Sequence, residues 1–144
     1  MKLFDVNVLI YAHRADQAKH AFFQRRLEET LGSHDPCGLT TAVATGFVRI
    51  VTQPSFPGGP TPLAQALSVI AALTAPGLCQ WLHPGGHHWS LTAELCQGTQ
   101  AAGKLVSDAS HAALAIEHGA TWITRDTDFA RFVPHGLRLE LWSP

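Results

Sequence analysis

Short apolar runs that favour β-strands alternate along this chain with stretches of helical spacing. Strands are predicted at 3–6, 79–82, 121–124 and 137–142, and residues 39–51 are predicted to be a strand that leads into a helix. Helices are predicted at 8–12, 18–31, 63–73 and 88–102, and a further apolar helix ends at His118. Strands that alternate with helices favour an α/β fold with a parallel, doubly wound sheet.

The length of the chain indicates the number of domains, and its charge indicates which partners it can attract. With 144 residues the chain is expected to form one domain, residues 1–144, which buries about two thirds of the surface of the unfolded chain. The formal net charge of −1 and the pI of about 6.7 provide no general positive field that would attract nucleic acid. A metal ion or a local basic patch can still bind phosphate on a neutral protein.

Cysteine usage and hydropathy indicate the compartment. Cys37, Cys79 and Cys96 are odd in number and lack C-x-x-C spacing, which argues against a disulfide framework and a zinc knuckle. The N-terminal apolar run is interrupted by Asp5 and Asn7, and no stretch approaches the length of a transmembrane helix. We therefore expect a cytoplasmic protein with no membrane partner.

Three aspartates lie where the predicted pattern changes from one element to the next. Asp5 follows the first strand, Asp108 precedes the apolar helix, and Asp126 follows the strand at 121–124. The carboxyl ends of parallel strands meet at one edge of a sheet, where open α/β folds bind ligands. Hard oxygen ligands favour Mg²⁺ or Mn²⁺ over zinc, and such a site can activate water and stabilise phosphoryl transfer.

Each of these acids also has a simpler explanation. Asp5 can cap the following helix, although Asn7 can serve as that cap equally well and can also orient Asp5. Ser107 or Asp108 is predicted to cap the apolar helix. Asp126 and Asp128 lie in a turn-like Arg-Asp-Thr-Asp segment, where an Asx turn is the alternative.

The nine histidines provide a competing metal hypothesis. His83, His87, His88 and His111 lack the i, i+4 spacing around a glutamate that marks a metalloprotease helix. We therefore interpret them as surface or structural residues. The shared position of the aspartates at element boundaries remains the stronger signal for a metal site.

Three segments resemble the signature blocks of PIN-domain ribonucleases, and specifically of the VapC toxins of bacterial toxin–antitoxin pairs. They are Phe-Asp-Val-Asn-Val-Leu-Ile-Tyr-Ala at 4–12, Val-Ser-Asp-Ala-Ser-His-Ala-Ala-Leu-Ala-Ile-Glu-His-Gly-Ala at 106–120, and Thr-Arg-Asp-Thr-Asp-Phe-Ala-Arg-Phe at 124–132. The blocks occur in the order that the family has, and the resemblance spans nearly the whole chain.

The resemblance implies a three-layer, PIN-like α/β fold with a central parallel sheet and helices on both faces. It also implies Mg²⁺-dependent endoribonuclease activity, with Mn²⁺ as a possible substitute, an RNA substrate, a homodimer and a cognate antitoxin protein. On these terms Asp5 and Asp108 bind the metal, Asp126 completes the catalytic site, and Asn7 and Asp128 support it.

The chain departs from the family pattern at one position. Gly46 stands where the family usually has a glutamate, on the helix before a hydrophobic-x-Arg step that ends here at Arg49. A site with fewer carboxylates neutralises less of a cation's charge. One alternative that follows is a catalytically weak protein that only binds RNA or antitoxin. A separate alternative starts from the Asp-x-Asn at the end of the first strand, which faintly resembles haloacid-dehalogenase-like phosphatases. It is a phosphotransferase that uses Asp5 as a nucleophile, for which Lys104 is the only candidate lysine near the later blocks.

Overall fold

A five-stranded parallel sheet forms the centre of the computed structural model, which describes residues 1–144. The strand order is β3-β2-β1-β4-β5, and every neighbouring pair is parallel. The strands are β1 (Lys2–Phe4), β2 (Cys37–Thr40), β3 (Cys79–Leu82), β4 (Thr121–Thr124) and β5 (Arg138–Leu141). This topology confirms the predicted α/β class with a parallel sheet.

Six α-helices and one 3₁₀ helix connect the strands. They are α1 (Val6–His13), α2 (His20–Leu31), α3 (Thr41–Val51), α4 (Leu63–Leu73), α5 (His88–Thr99), α6 (Lys104–Glu117) and the 3₁₀ helix Thr127–His135. Helix α1 packs on α2 and α3, and α3 on α4, whereas α5, α6 and the 3₁₀ helix pack on one another. The helices thus form two groups with the sheet between them, as the three-layer prediction requires. None of them is long and apolar enough to cross a membrane.

The side chains of the central strands β1 and β4 are almost completely buried. Leu3 and Phe4 of β1 are each 1% exposed, and Trp122 and Ile123 of the neighbouring β4 are fully buried. These residues belong to one cluster of 31 buried hydrophobic residues that includes side chains of both helix groups. Because β1 lies in the middle of the sheet, the residues that follow it are positioned by core packing on both sides.

At one helix start the structure selects between two predicted caps, and at another it differs from the prediction. Asp5, rather than Asn7, caps α1, since its side chain accepts a hydrogen bond from the backbone N–H of Val6. Helix α6 begins at Lys104, not beside Asp108, because Gly103 with φ of 60° lets the chain turn into the helix earlier. Ser107 and Asp108 therefore lie inside α6, with Asp108 in its second turn, and the predicted cap at Ser107 or Asp108 is wrong.

Gly38 provides a test of the packing that sets the register of β2 beside β1. A Cβ atom at Gly38 would lie 2.8 Å from Leu3 Cδ2 and 3.1 Å from Leu82 Cγ. We expect Gly38→Val to lower the free energy of unfolding by about 1–3 kcal/mol, the usual cost of overpacking. Gly86→Val is the matched control, because a Cβ there meets no atom within 4 Å. Equal chemical denaturation midpoints for the two variants would contradict this account.

Candidate active site

Asp5 lies at the carboxyl end of β1, and its carboxylate is bound by three donors. One oxygen accepts the backbone N–H of Val6 at 2.7 Å. The other accepts the hydroxyl of Thr124 at 2.6 Å and the side-chain amide of Asn7 at 3.2 Å. Asp5 is only 9% exposed, and this burial raises the pKa of its carboxyl group although the hydrogen bond from Thr124 acts to lower it.

Thr124, the last residue of β4, is hydrogen-bonded to Asp5, Asn7 and Asp126. Besides donating to Asp5, its hydroxyl accepts hydrogen bonds from the Asn7 side-chain amide at 3.1 Å and from the Asp126 backbone N–H at 3.0 Å. The side-chain carbonyl oxygen of Asn7 accepts a hydrogen bond from the backbone N–H of Arg125 at 3.3 Å. Thr124 was not among the residues predicted from the sequence, although its position directly before the acidic Arg-Asp-Thr-Asp turn is a usable signal.

Lys104 connects the other two aspartates. Its ammonium lies 3.1 Å from a carboxylate oxygen of Asp108 and 2.6 Å from one of Asp126. Its bond to Asp126, followed by that to Asp108, raises the pKa of Lys104. Burial acts to raise the pKa of Asp126, but the hydrogen bonds from Lys104 and from the Asp128 backbone outweigh it, so this pKa is lowered.

Asp126 also begins the 3₁₀ helix. Its second oxygen accepts the backbone N–H of Asp128 at 2.9 Å, which is the Asx turn predicted as its alternative role. The side chain of Asp128 is exposed and makes no hydrogen bond. The structure therefore brings Asp5, Asn7, Asp108 and Asp126 to one edge of the sheet and leaves Asp128 at its periphery.

The carboxylate oxygens at this edge are suitable ligands for a hard divalent cation, although the side chains are not arranged as a complete coordination sphere. Asp108 contributes to the raised pKa of Asp5, so their charges act on each other, and Asp108 and Asp126 already bind a cationic group in Lys104. As the side chains stand, no three histidine, cysteine or acidic residues form a metal-binding group. Asp5 and Asp108 would hold a cation with water or substrate oxygens as its remaining ligands.

A cavity of about 480 Å³ lies beside the carboxylates, between α3 and α6. Gly46, Arg49 and Ser107 line it together with His111, whose ring is stacked on Trp122 with centroids 5.2 Å apart. Burial lowers the pKa of His111, against the opposing effect of the nearby carboxylates. The interpretation of His111 as a surface or structural residue is incomplete, since it lies three residues, about one turn of helix, beyond Asp108.

No other acid replaces the glutamate that is missing at Gly46. Glu117 accepts the backbone N–H groups of Gly85 at 2.7 Å and of His87 at 3.0 Å, at the far end of α6. The lining of the cavity contains no carboxylate.

Comparisons with known proteins agree with this geometry. Residues 2–133 match the family model of the PIN domain. A VapC ribonuclease of Mycobacterium bovis is 40% identical over 92% of this chain and 90% of its own length. Ribonuclease VapC31 of Mycobacterium tuberculosis is 35% identical over 92% and 93%. The chain therefore belongs to the PIN-domain family, among its VapC ribonucleases.

Solved structures show the same fold. The chain resembles VapBC2 from Rickettsia felis, bound to a DNA fragment from its promoter, with a TM-score of 0.71, 16% identity, and coverage of 99% of this chain and 98% of the other. VapBC-1 from Haemophilus influenzae gives a TM-score of 0.70 at the same identity and coverage. At 16% identity these matches support the fold and not the chemistry of individual residues.

The burial of Asp5 generates a stability prediction for metal-free protein. Because its folded-state pKa is raised, the ionised carboxylate destabilises the fold at neutral pH, and this penalty disappears as pH falls through the folded-state pKa towards the unfolded one. We expect Asp5→Asn to raise the melting temperature at pH 7 in EDTA by roughly 2–4 °C, the effect of about 1 kcal/mol in a domain of this size.

The control for this prediction is Asp35→Asn, because Asp35 is exposed. Scanning calorimetry between pH 4 and 7 should show the gain for Asp5→Asn shrinking at low pH. A gain that grows as the pH falls would contradict the assigned cause.

Proposed function

We propose that this protein is a metal-dependent endoribonuclease that acts as the toxin of a toxin–antitoxin pair. The observation that carries the proposal is the arrangement of Asp5, Asp108 and Asp126 at one sheet edge in a member of the VapC ribonucleases. Mg²⁺, with Mn²⁺ as a substitute, is the proposed metal, because the converging donors are carboxylate oxygens.

Asp5 and Asp108 are the proposed metal ligands, and Asp126 completes the catalytic site. A bound divalent ion supplies charge neutralisation at the phosphate and lowers the pKa of a water molecule. The chain's own contribution is to hold the first ligand: Thr124 and Asn7 fix the Asp5 carboxylate. Lys104 occupies Asp108 and Asp126 in the metal-free protein. Asp128 is proposed to support the turn that carries Asp126.

An antitoxin protein is the proposed partner. Solved structures of similar fold include VapBC proteins and a toxin–antitoxin complex from Klebsiella pneumoniae. We further propose a homodimer in the cytoplasm. Exposed apolar side chains are available for such contacts, among them Leu63 and Leu67 of α4, which are 58% and 52% exposed.

The decisive experiment is cleavage of RNA by the purified protein. We expect hydrolysis with Mg²⁺ or Mn²⁺ and none in EDTA. Asp5→Asn and Asp108→Asn should each lower the rate by at least about 100-fold, since even groups that only support a metal ligand contribute 10- to 100-fold. Asp35→Asn should cleave like the wild type. Equal cleavage by the wild type and Asp5→Asn would refute the assignment.

Lys104 gives a second test, with metal binding as the readout. Its ammonium competes with a divalent ion for Asp108 and Asp126, but its side chain is 69% exposed and its ion pairs are screened by water. We therefore expect Lys104→Met to bind Mn²⁺ roughly two- to fivefold more tightly in titration calorimetry. Lys19→Met, on a different helix start, should leave the affinity unchanged. Weaker binding by Lys104→Met would mean that Lys104 assists the metal rather than competing with it.

A binding protein with little or no catalysis is the second candidate. Gly46 and the lack of a finished group of three metal ligands favour it. This alternative predicts no heat on Mn²⁺ titration and no cleavage, together with a stable antitoxin complex. The two functions are therefore separated by the same calorimetric and cleavage measurements.

A further inference from the structure

The cavity beside the carboxylates is lined without any acidic side chain, whereas the neighbouring edge of the sheet is acidic. Its nine lining residues include an arginine, a histidine and three hydroxyl side chains, but no acid. The neighbouring edge carries Asp5 and Asp108, which directly precede or follow residues of the lining. A guanidinium with hydroxyl donors and no carboxylate in the lining suits an anion. The neighbouring carboxylates would place that anion next to a cation bound at Asp5 and Asp108.

Two helices direct the relevant side chains into this space. Gly46 and Arg49 are three residues apart and share a face of α3. Ser107 and His111 are four residues apart and share a face of α6. The stack of His111 on Trp122 restricts its ring, and the imidazole makes no hydrogen bond to the protein. Its nitrogen atoms are thus available to a ligand.

The Arg49 side chain is the main cationic group of the cavity. Arg49 is exposed, and its guanidinium takes part in none of the ion pairs of the chain. An unpaired guanidinium matches the geometry of a phosphate, which it can bind through two parallel hydrogen bonds.

Gly46 keeps the space open. A Cβ atom at this position would contact only Val6 Cγ2, at 3.1 Å, so a longer side chain would extend into the cavity. A glutamate there would place a carboxylate within the pocket and beside Arg49. With glycine, the volume and the guanidinium remain free for substrate.

We propose that this cavity is a phosphate subsite for RNA, in which Arg49 binds the phosphate of a nucleotide next to the scissile bond and Ser107 and His111 donate hydrogen bonds to it. The proposal rests on the ribonuclease function proposed above, and it adds a substrate-binding role for residues outside the carboxylate set. On this proposal Arg49 is a binding residue, so its loss weakens RNA binding and leaves the affinity for the metal unchanged.

The test measures binding of a fluorescent single-stranded RNA oligonucleotide in EDTA, where no metal-dependent cleavage can occur. Arg49→Gln should bind roughly tenfold more weakly, the effect of losing one charge-assisted pair of hydrogen bonds. The slope of log affinity against log salt concentration should fall by about 0.7, as expected for one phosphate contact on a single strand. Mn²⁺ affinity should stay at the wild-type value.

Two further variants sharpen the result. Arg138→Gln is the matched control, because Arg138 begins β5 and lies at the amino edge of the sheet, away from Asp5. It should bind RNA like the wild type. Gly46→Glu should weaken RNA binding and strengthen Mn²⁺ binding, since it replaces open volume by a carboxylate.

The outcomes separate the subsite from the nuclease function. If the wild type cuts RNA but Arg49→Gln and Arg138→Gln bind it equally, the subsite is refuted and the nuclease assignment stands. If Arg49→Gln weakens RNA binding but the wild type cuts nothing with Mn²⁺, the nuclease assignment fails and only the phosphate-binding role of Arg49 stands. Loss of antitoxin binding by Arg49→Gln with RNA affinity unchanged would assign the cavity to the protein partner and overturn the proposal.

Discussion

The burial of the Asp5 carboxylate is the constraint on which the rest of this structure depends. A carboxylate that is 9% exposed costs several kcal/mol unless donors replace its water. Those donors come from the first turn of α1 and from Thr124 at the end of β4, and the backbone N–H of Asp5 bonds to Ile123. The same contacts that satisfy the charge therefore fix where α1 begins and where β4 ends.

Positive side chains lie on two sides of the acidic edge that contains Asp5. Lys104 on α6 lies between Asp108 and Asp126, whereas Arg49 lines the neighbouring cavity. A negatively charged substrate cannot approach three carboxylates without positive groups nearby, because like charges at this range repel strongly in a partly buried site. A divalent ion meets part of this requirement. Arg49, whose charge no carboxylate of the protein neutralises, can meet the rest.

The sequence predicted the sheet and the position of Asp5 because both follow from local pattern: an apolar run, an acid, and an apolar helix. It failed at α6, where the start depends on the backbone of Gly103 and so places Lys104 near Asp126, 22 residues later. Such a pairing depends on tertiary structure. His111 was within reach of sequence reasoning, since the i, i+3 spacing puts it on the same helical face as Asp108. The cavity that His111 lines could not be predicted from the sequence, because it forms between two helices in the folded chain.

In the proposed nuclease, Gly46 would determine how this edge of the sheet is divided between metal and substrate. A glycine inside a helix costs roughly 0.5–1 kcal/mol relative to alanine, and the backbone of Gly46 has no positive φ that would require it. A Cβ here would lie 3.1 Å from Val6 Cγ2, a tight contact that a small shift of Val6 would have to relieve. Packing therefore disfavours a side chain at this position without excluding one. The consequence of the glycine is chemical: a carboxylate here would strengthen the hold on a cation and neutralise Arg49, and without it the guanidinium is left to an anion.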